Sequence, residues 1–289
     1  MQFGLSTHLF HGERLGKKPL QAIAQHGFEF VEIFATQTHF DYHDRREIAE
    51  LGRLLADLGL QAGSMHAPIC AGYTHGDWGR AFSNATGSTA LRREAVAETA
   101  AAFDAAAELG CDTMVLHLGL PRTQPVPADD NDLHALRRSL EDLAPIAAAS
   151  PVRLALEIIP NDLSTPDALL QFLDGELALG SAGVCLDIGH AHLMGGAPEA
   201  AEALSGHVIA THVHDNRGVE DSHLVPFEGT VDWPASLSAI WKIGYSGRLT
   251  FEVADHGDPL GVLARTARAR TRLQAILDQL TLPISFDDV

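Results

Sequence analysis

Short apolar runs alternate along the chain with longer segments in which apolar residues recur at helical spacing. The short runs, rich in branched and aromatic residues, predict buried strands, and the longer segments predict amphipathic helices. The predicted strands occupy eight runs, namely residues 3–7, 29–34, 61–66, 112–117, 152–158, 182–187, 207–213 and 248–253. Repeated alternation of strand and helix is typical of a parallel sheet covered by helices.

End signals support the helix predictions. The alanine-rich segment 88–110 begins with Ser and Thr and ends on a glycine, as helices commonly do. Ser164 or Thr165 can cap a later helix, with Pro166 in its first turn. In a chain of 289 residues, we expect the sheet to close as a single-domain (β/α)8 TIM barrel spanning 1–289. An open, doubly wound sheet is the alternative, and it is disfavoured because no G-x-G-x-x-G motif follows the first strand.

Polar residues stand at the carboxyl end of six predicted strands. Successive side chains of a strand point to opposite faces. In five of the six strands the preceding residue is large and apolar, as expected for the face packed on helices, and the residue before that is small. The polar residues therefore share the inward parity and converge where barrel enzymes carry their chemistry. They are His66, His117, Glu157, Asp187, His212 and Glu252.

Three further candidates, His190, Asp221 and His223, follow strand ends closely. The nine residues together offer nitrogen and oxygen donors, a mixture that suits Zn, Mn or Fe better than Mg or Ca. Nine donors exceed the needs of one ion, so we expect one to three divalent ions per chain. Any one of these histidines alone is explained more simply by a hydrogen bond in a loop. His8 and His214 could line the mouth of the site but are interpreted in that way, as solvated loop residues. His214 shares the strand parity of His212 and is therefore the replacement ligand if the assignment at this strand is displaced.

Composition and charge narrow the expected partners and cellular location of this protein. The net charge of −18 disfavours nucleic acid as a partner without excluding it, because such binding depends largely on Lys and Arg. No run of about 18 apolar residues occurs, so no membrane span is expected. Three cysteines without a C-x-x-C pair, and a start that does not resemble a signal peptide, favour a cytoplasmic setting. The arginines of the last predicted helix indicate a solvated or subunit-contact face, which leaves a homo-oligomer open.

These residues resemble the xylose-isomerase-like TIM barrels, a superfamily of sugar isomerases, epimerases and endonuclease-IV-type enzymes. The resemblance covers nearly the whole chain and is carried by SMHAPI, VLHLG, LALEIIPN, CLDIGH, THVHDN, DSHLVPFEGTVDW and LTFEV. It implies a (β/α)8 fold with metal at the strand ends. The endonuclease branch holds three zinc ions with nine ligands, and its motif positions correspond to all nine candidates. The epimerase branch holds one Mn-type ion with four ligands, which correspond to Glu157, Asp187, His212 and Glu252.

The favoured hypothesis is a metal-dependent isomerase or epimerase of a sugar or polyol, with or without a phosphate. Glu157 and Glu252 would move a proton beside a metal-chelated carbonyl and hydroxyl. His190 and Arg217 would hold hydroxyls or a phosphate, and Trp78 or Phe34 would pack on the apolar sugar face. We also expect the long irregular stretch 67–88 to cover the site.

Two alternatives remain at this stage. One is an endonuclease-IV-type phosphoester hydrolase, in which a metal-bridging hydroxide attacks phosphorus. The other is a barrel that binds metal without catalysis. Loops set specificity on this fold, so the sequence alone does not name the substrate.

Overall fold

A computed structural model describes residues 1–123, 125–175, 179 and 181–281 of the chain. Eight parallel strands form a closed barrel, and a separate antiparallel pair, β4 and β5, lies outside it. The strands are β1 (Gln2–Ser6), β2 (Phe30–Phe34), β3 (Gln61–His66), β4 (Tyr73–Thr74), β5 (Asp77–Trp78), β6 (Thr113–Leu116), β7 (Arg153–Glu157), β8 (Gly183–Asp187), β9 (Val208–Val213) and β10 (Arg248–Phe251). Each predicted strand run overlaps one barrel strand, and β10 closes the barrel by pairing with β1. The prediction of a TIM barrel is confirmed.

Helices cover the outside of this barrel. After a 3-10 turn at Thr7–Phe10, they are α1 (Lys17–Gln25), α2 (Arg45–Leu58), α3 (Thr89–Leu109), α4 (Leu133–Ala149), α5 (Pro166–Leu173), α6 (Ile188–Leu193), α7 (Ala197–Ala203), α8 (Trp233–Lys242) and α9 (Pro259–Thr281). No helix in the described ranges is both long and apolar enough to cross a membrane.

The end signals mark the helix ends as predicted, although Ser88 before α3 makes no side-chain capping bond. Gly110, with φ of 77°, ends α3, a left-handed conformation that glycine adopts without steric penalty. Of the two cap candidates before α5, Thr165 is the one used, since its Oγ1 accepts a hydrogen bond from the Ala168 amide at 3.2 Å.

Side-chain alternation along the strands matches the predicted parity. Val115, Ala155 and Cys185 form a small cluster inside the barrel, with 0% of their surface exposed. The larger residues that follow them face the helices and belong to the main core; they include Leu116, Leu156 and Leu186. The six polar residues come next in this alternation, so they return to the inner face. The register pairs Asp187 of β8 with His212 of β9 at this end of the barrel.

The stretch 67–88 is folded over the carboxyl end of the barrel. Its tip is the hairpin β4–β5, in which Tyr73 is paired with Trp78. A bridge between Cys70 and Ala81 extends this pairing towards the barrel. Residues of both hairpin strands line the cavity at that end, so the expectation of a covering loop is confirmed.

Candidate metal centre

Barrel strands bring the six predicted residues to one end of the molecule. His66, Glu157 and Asp187 are the last residues of their strands. His117 and Glu252 directly follow β6 and β10, and His212 lies one residue before the end of β9. Five of these side chains are at most 5% exposed, and that of His117 is 20% exposed.

Four of these residues form a compact group, here called the central quartet, which consists of Glu157, Asp187, His212 and Glu252. One donor atom from each lies within 4.8 Å of the others. His212 Nδ1 is 2.8 Å from Glu157 Oε1, 3.6 Å from Asp187 Oδ2 and 3.4 Å from Glu252 Oε2. Three carboxylates gathered away from water repel one another unless positive charge compensates them. A divalent cation meets that need, and these oxygen and nitrogen donors suit Zn, Mn or Fe.

A second group adjoins the quartet through Glu157. The Nε2 atoms of His66 and His117 lie 3.3 Å and 2.9 Å from Glu157 Oε2. Glu157 Oε1 faces His212 instead. The two oxygens of one carboxylate therefore serve two neighbouring donor groups.

A third group, here called the rim group, consists of His190, His214, Asp221 and His223. Asp221 Oδ2 lies 2.9 Å from His190 Nε2 and 3.2 Å from His223 Nε2. Asp187 links this group to the quartet, because its Oδ1 lies 3.0 Å from His214 Nε2. The structure thus brings all nine residues of the predicted ligand set into three adjoining groups.

His214 corrects one expectation. It is not a solvated loop residue but is fully buried, with its ring stacked on that of His223 at a centroid distance of 4.0 Å. A Cβ at Gly189 would overlap the His214 ring, so the glycine of the CLDIGH motif makes room for it. The inward parity that His214 shares with His212, which made it the candidate replacement ligand, agrees with this buried position.

A cavity of about 550 Å³ opens above these groups. His66, His117, His190, His223 and Glu252 contribute to its lining. Among the described lining residues there is no Lys or Arg. This space is of the size that binds small molecules.

One wall of the cavity is aromatic. The Trp78 ring stacks on His11 at 4.8 Å, and His11 stacks on His8 at 4.8 Å. Trp78 is 44% exposed and lies at the mouth, where the sequence hypothesis placed a sugar contact. His8 faces the cavity instead of solvent, which corrects its interpretation as a solvated loop residue.

Arg217 is not brought together with the other predicted substrate residues. Its side chain is exposed, and the cavity is lined by other described residues. Asn216, which precedes it, is buried and donates a hydrogen bond from Nδ2 to Gly189 O at 2.7 Å. Gly218, with φ of 75°, follows in a turn. This turn leaves the arginine on the outside of the loop.

Residues 20–277 match the family described as xylose isomerase-like TIM barrel. The chain belongs to this family. It is 28% identical over 263 residues to an uncharacterized protein of Methanocaldococcus jannaschii, covering 87% of this chain and 83% of that protein. It is 30% identical over 233 residues to an uncharacterized protein of Sinorhizobium fredii, covering 71% and 70% of the two chains.

Solved structures similar to this xylose isomerase-like barrel share its fold over almost the whole chain. A D-tagatose 3-epimerase-like protein has a TM-score of 0.78 and 24% identity, with 97% and 98% of the two chains covered. A 3-keto-D-glucoside 4-epimerase from E. coli has a TM-score of 0.73 and 17% identity, with 95% and 99% covered. An IolI protein with a bound zinc atom has a TM-score of 0.74 and 17% identity, with 98% and 100% covered. At these identities the similarity establishes the fold.

Burial and ion pairing shift the pKa values of the buried ionisable groups of this xylose isomerase-like barrel in opposite directions. Burial disfavours the charge of Asp187, yet His190 and His214 hold its pKa well below the usual value. Burial likewise disfavours the charge of His66, but its hydrogen bond to Glu157 raises its pKa to about 9. Burial also opposes protonation of His223, and Asp221 raises its pKa to about 9. Protonated imidazoles therefore compensate the carboxylates when no other cation does.

One buried acid of the barrel was not among the predicted residues. Glu32 of β2 is 1% exposed, and its Oε2 lies 3.1 Å from His212 Nε2. The sequence carried a signal for it, because a glutamate interrupts the apolar run 30–34 at the inward parity.

Proposed function

We propose that this protein is a divalent-metal-dependent isomerase or epimerase acting on a small sugar or polyol. The central quartet, whose Glu252 lines the 550 Å³ cavity, is the observation that carries the proposal. Two structural neighbours are described as a D-tagatose 3-epimerase-like protein and a 3-keto-D-glucoside 4-epimerase, which supports this chemistry on this fold.

The quartet residues Glu157, Asp187, His212 and Glu252 would hold the metal ion. When bound, the ion supplies charge that polarises a carbonyl and the adjacent hydroxyl and so acidifies the C–H bond between them. Glu157 and Glu252 each contribute a carboxylate to this donor group, and Glu252 also lines the cavity. One takes the proton from the substrate carbon, and the other returns a proton to that carbon.

The cavity walls would bind the rest of the substrate. Trp78 at the mouth presents a broad apolar ring to the C–H face of a sugar, and His190 lies where a hydroxyl can reach it. In this proposal the exposed Arg217 does not contact the substrate, because its side chain lies outside the cavity lining.

Hydrogen exchange tests the proposal directly. The protein loaded with Mn²⁺, Co²⁺ or Zn²⁺ is incubated in deuterated water with a panel of free keto- and aldohexoses. We expect deuterium to enter one carbon next to the carbonyl, together with a second sugar as product, detected by NMR. Chelation should abolish both signals. If every sugar remains without deuterium in the presence of each metal, the proposal is wrong.

A phosphoester hydrolase of the endonuclease-IV type is the second candidate, and the three adjoining donor groups favour it. Zn²⁺-dependent hydrolysis by two or three ions could use all of them. The net charge of −18 and the absence of Lys and Arg from the described cavity lining weigh against a nucleic acid substrate. Cleavage of an abasic-site oligonucleotide at low salt, with more than one Zn²⁺ bound per chain, would favour this candidate over the first.

A further inference from the structure

The two ring nitrogens of His212 face different carboxylates. Nδ1 points into the central quartet and lies 2.8 Å from Glu157 Oε1. Nε2 points to the other side of the ring and lies 3.1 Å from Glu32 Oε2. The ring is fully buried, so these contacts replace the hydrogen bonds that water would make.

The strands beside β2 and one hydrogen bond position Glu32 at this place. Its neighbours in the sheet register are Ser6 on β1 and Ser64 on β3. Ser64 Oγ donates a hydrogen bond to the same oxygen, Oε2, at 2.9 Å. A buried carboxylate is unfavourable unless it is paired, and the partners of Glu32 among the described residues are Ser64 and His212. This acid is therefore built for an interaction with His212.

Among the described residues, Glu32 meets the donor groups at the His212 ring, and it does not line the cavity. It is absent from the cavity lining and from the clusters of metal-donor atoms in the described ranges. Any influence on the chemistry must therefore pass through the imidazole of His212. An imidazole binds metal through one nitrogen, and a hydrogen bond from the other nitrogen selects the tautomer and fixes the plane of the ring.

We propose that Glu32 is a positioning residue for the metal centre. It accepts the proton-bearing Nε2 of His212 and thereby leaves the lone pair of Nδ1 directed at the quartet. The inference rests on the proposed function, since it requires that the quartet binds a metal ion. It assigns a role to a residue of β2, a strand that contributes no member of the donor groups.

Metal affinity tests the role without depending on turnover. Co²⁺ and Mn²⁺ are titrated into wild-type protein and into the variants Glu32→Gln and Glu32→Ala, using a competing chelator. We expect a loss of affinity of about 10- to 100-fold, larger for alanine than for glutamine, because the glutamine oxygen still accepts from Nε2. The visible spectrum of bound Co²⁺ should also change, because the ring is no longer fixed.

Glu98 offers a matched control. Its Oε2 lies 2.9 Å from His43 Nε2, and neither residue lines the cavity. Glu98→Gln removes the charge of another Glu–His pair and should leave metal affinity unchanged. Thermal unfolding in EDTA verifies that all variants are folded before metal is added. Affinities of folded Glu32→Gln and Glu32→Ala within about twofold of wild type would overturn the proposal.

A measurement on the wild-type protein covers the case in which the variants do not fold. In Zn²⁺-loaded protein with ¹⁵N-labelled histidine, the ring shifts of His212 report which nitrogen carries the proton; the His212→Gln spectrum identifies them. We expect a metal-bound Nδ1 and a protonated Nε2. Metal bound at Nε2 would refute the role of Glu32 alone. Wild-type protein that binds neither Co²⁺ nor Zn²⁺ would refute the proposed function as well.

Discussion

The central quartet and the rim group lie side by side but are positioned in different ways. The quartet residues stand at or next to strand ends, so the register of the barrel fixes them. In the rim group, Asp221 and His223 belong to the loop between β9 and α8, and His223 has a positive φ of 42°. The difference suggests that the strands fix the chemistry, whereas loops adapt the surroundings of the substrate.

The rim loop depends on a buried anchor. Asp215 is fully buried and accepts hydrogen bonds from the Phe227 amide at 2.8 Å and from Trp233 Nε1 at 3.0 Å. A Cβ at Gly229 would overlap both Asp215 and the Asn216 carbonyl oxygen, so the loop can close only with glycine there. This anchor shapes the loop that carries Asp221 and His223, and His223 also contacts the residue after β10, since its Nδ1 lies 2.8 Å from Glu252 O.

Among the substitutions considered, Glu252→Gln in the central quartet should lower the reaction rate most. Removing the carboxylate that the proposed mechanism assigns to proton transfer should lower the rate of deuterium exchange at least about 100-fold, the usual contribution of general acid–base catalysis. Metal binding should be weakened but retained, since the amide oxygen can still coordinate. Exchange is followed by NMR and bound metal by elemental analysis. Exchange at the wild-type rate in this variant would exclude Glu252 as a proton carrier.

Asp221→Asn tests the rim group and should have a smaller effect on rate. His190 and His223 lose their shared carboxylate, so any ion held at the rim should be lost while the quartet retains its own. We expect exchange to fall by about tenfold, in the range for loss of a supporting residue of a metal site. A loss as large as that of Glu252→Gln would show that the two groups act as one unit.

Trp78→Ala tests the wall of the cavity, where only binding is expected to suffer. The ring is 44% exposed and contacts His11, so its removal takes apolar surface from the substrate without touching the quartet. KM should rise about tenfold, equivalent to about 1.4 kcal/mol, with kcat changed little. Steady-state kinetics over a range of sugar concentrations measure this. A selective fall in kcat would instead place Trp78 in transition-state stabilisation.

The smallest effect is expected from a substitution of His39, which lies outside the central quartet and the rim group. This effect concerns stability at acidic pH. Burial lowers the pKa of His39 to about 4, while its Nδ1 donates to Glu13 O at 2.6 Å. Between about pH 6.5, the unfolded value, and pH 4, the unfolded chain binds this proton and the folded chain does not. The contribution to stability is therefore complete above pH 6.5 and declines as the pH falls.

Chemical unfolding in EDTA across this pH range isolates that contribution. His39→Asn keeps a donor near the position of Nδ1 but does not titrate. Its free energy of unfolding should therefore decline less steeply with falling pH than that of wild type. Parallel curves for the two proteins would assign the acid sensitivity to other groups.

Strand positions could be predicted from the sequence because alternation has a fixed period of two residues. Met65 and Leu116, for example, lie on the packed face and are at most 1% exposed. His66 and His117, one residue further on, accordingly point inward. The barrel closure followed from the number of strand–helix repeats.

Residues in loops could be predicted less well, because their direction depends on contacts that no periodicity encodes. Arg217 and His214 lie three residues apart, yet one is exposed and the other is fully buried. The turn at Asn216 and Gly218 decides this difference. His8 faces the cavity because the 3-10 turn after β1 directs it there.

The carboxylate of Glu157 faces His212 with one oxygen and His66 and His117 with the other. A charge beside one oxygen of this carboxylate changes the electron density on the other oxygen. If each of the two adjoining donor groups binds an ion, they would not fill independently, and a loading curve should deviate from simple hyperbolic saturation. A single side chain, Glu157, would then cause cooperativity or antagonism between successive ions. The effect of the first site on the affinity of the second would equal the effect of the second on the first.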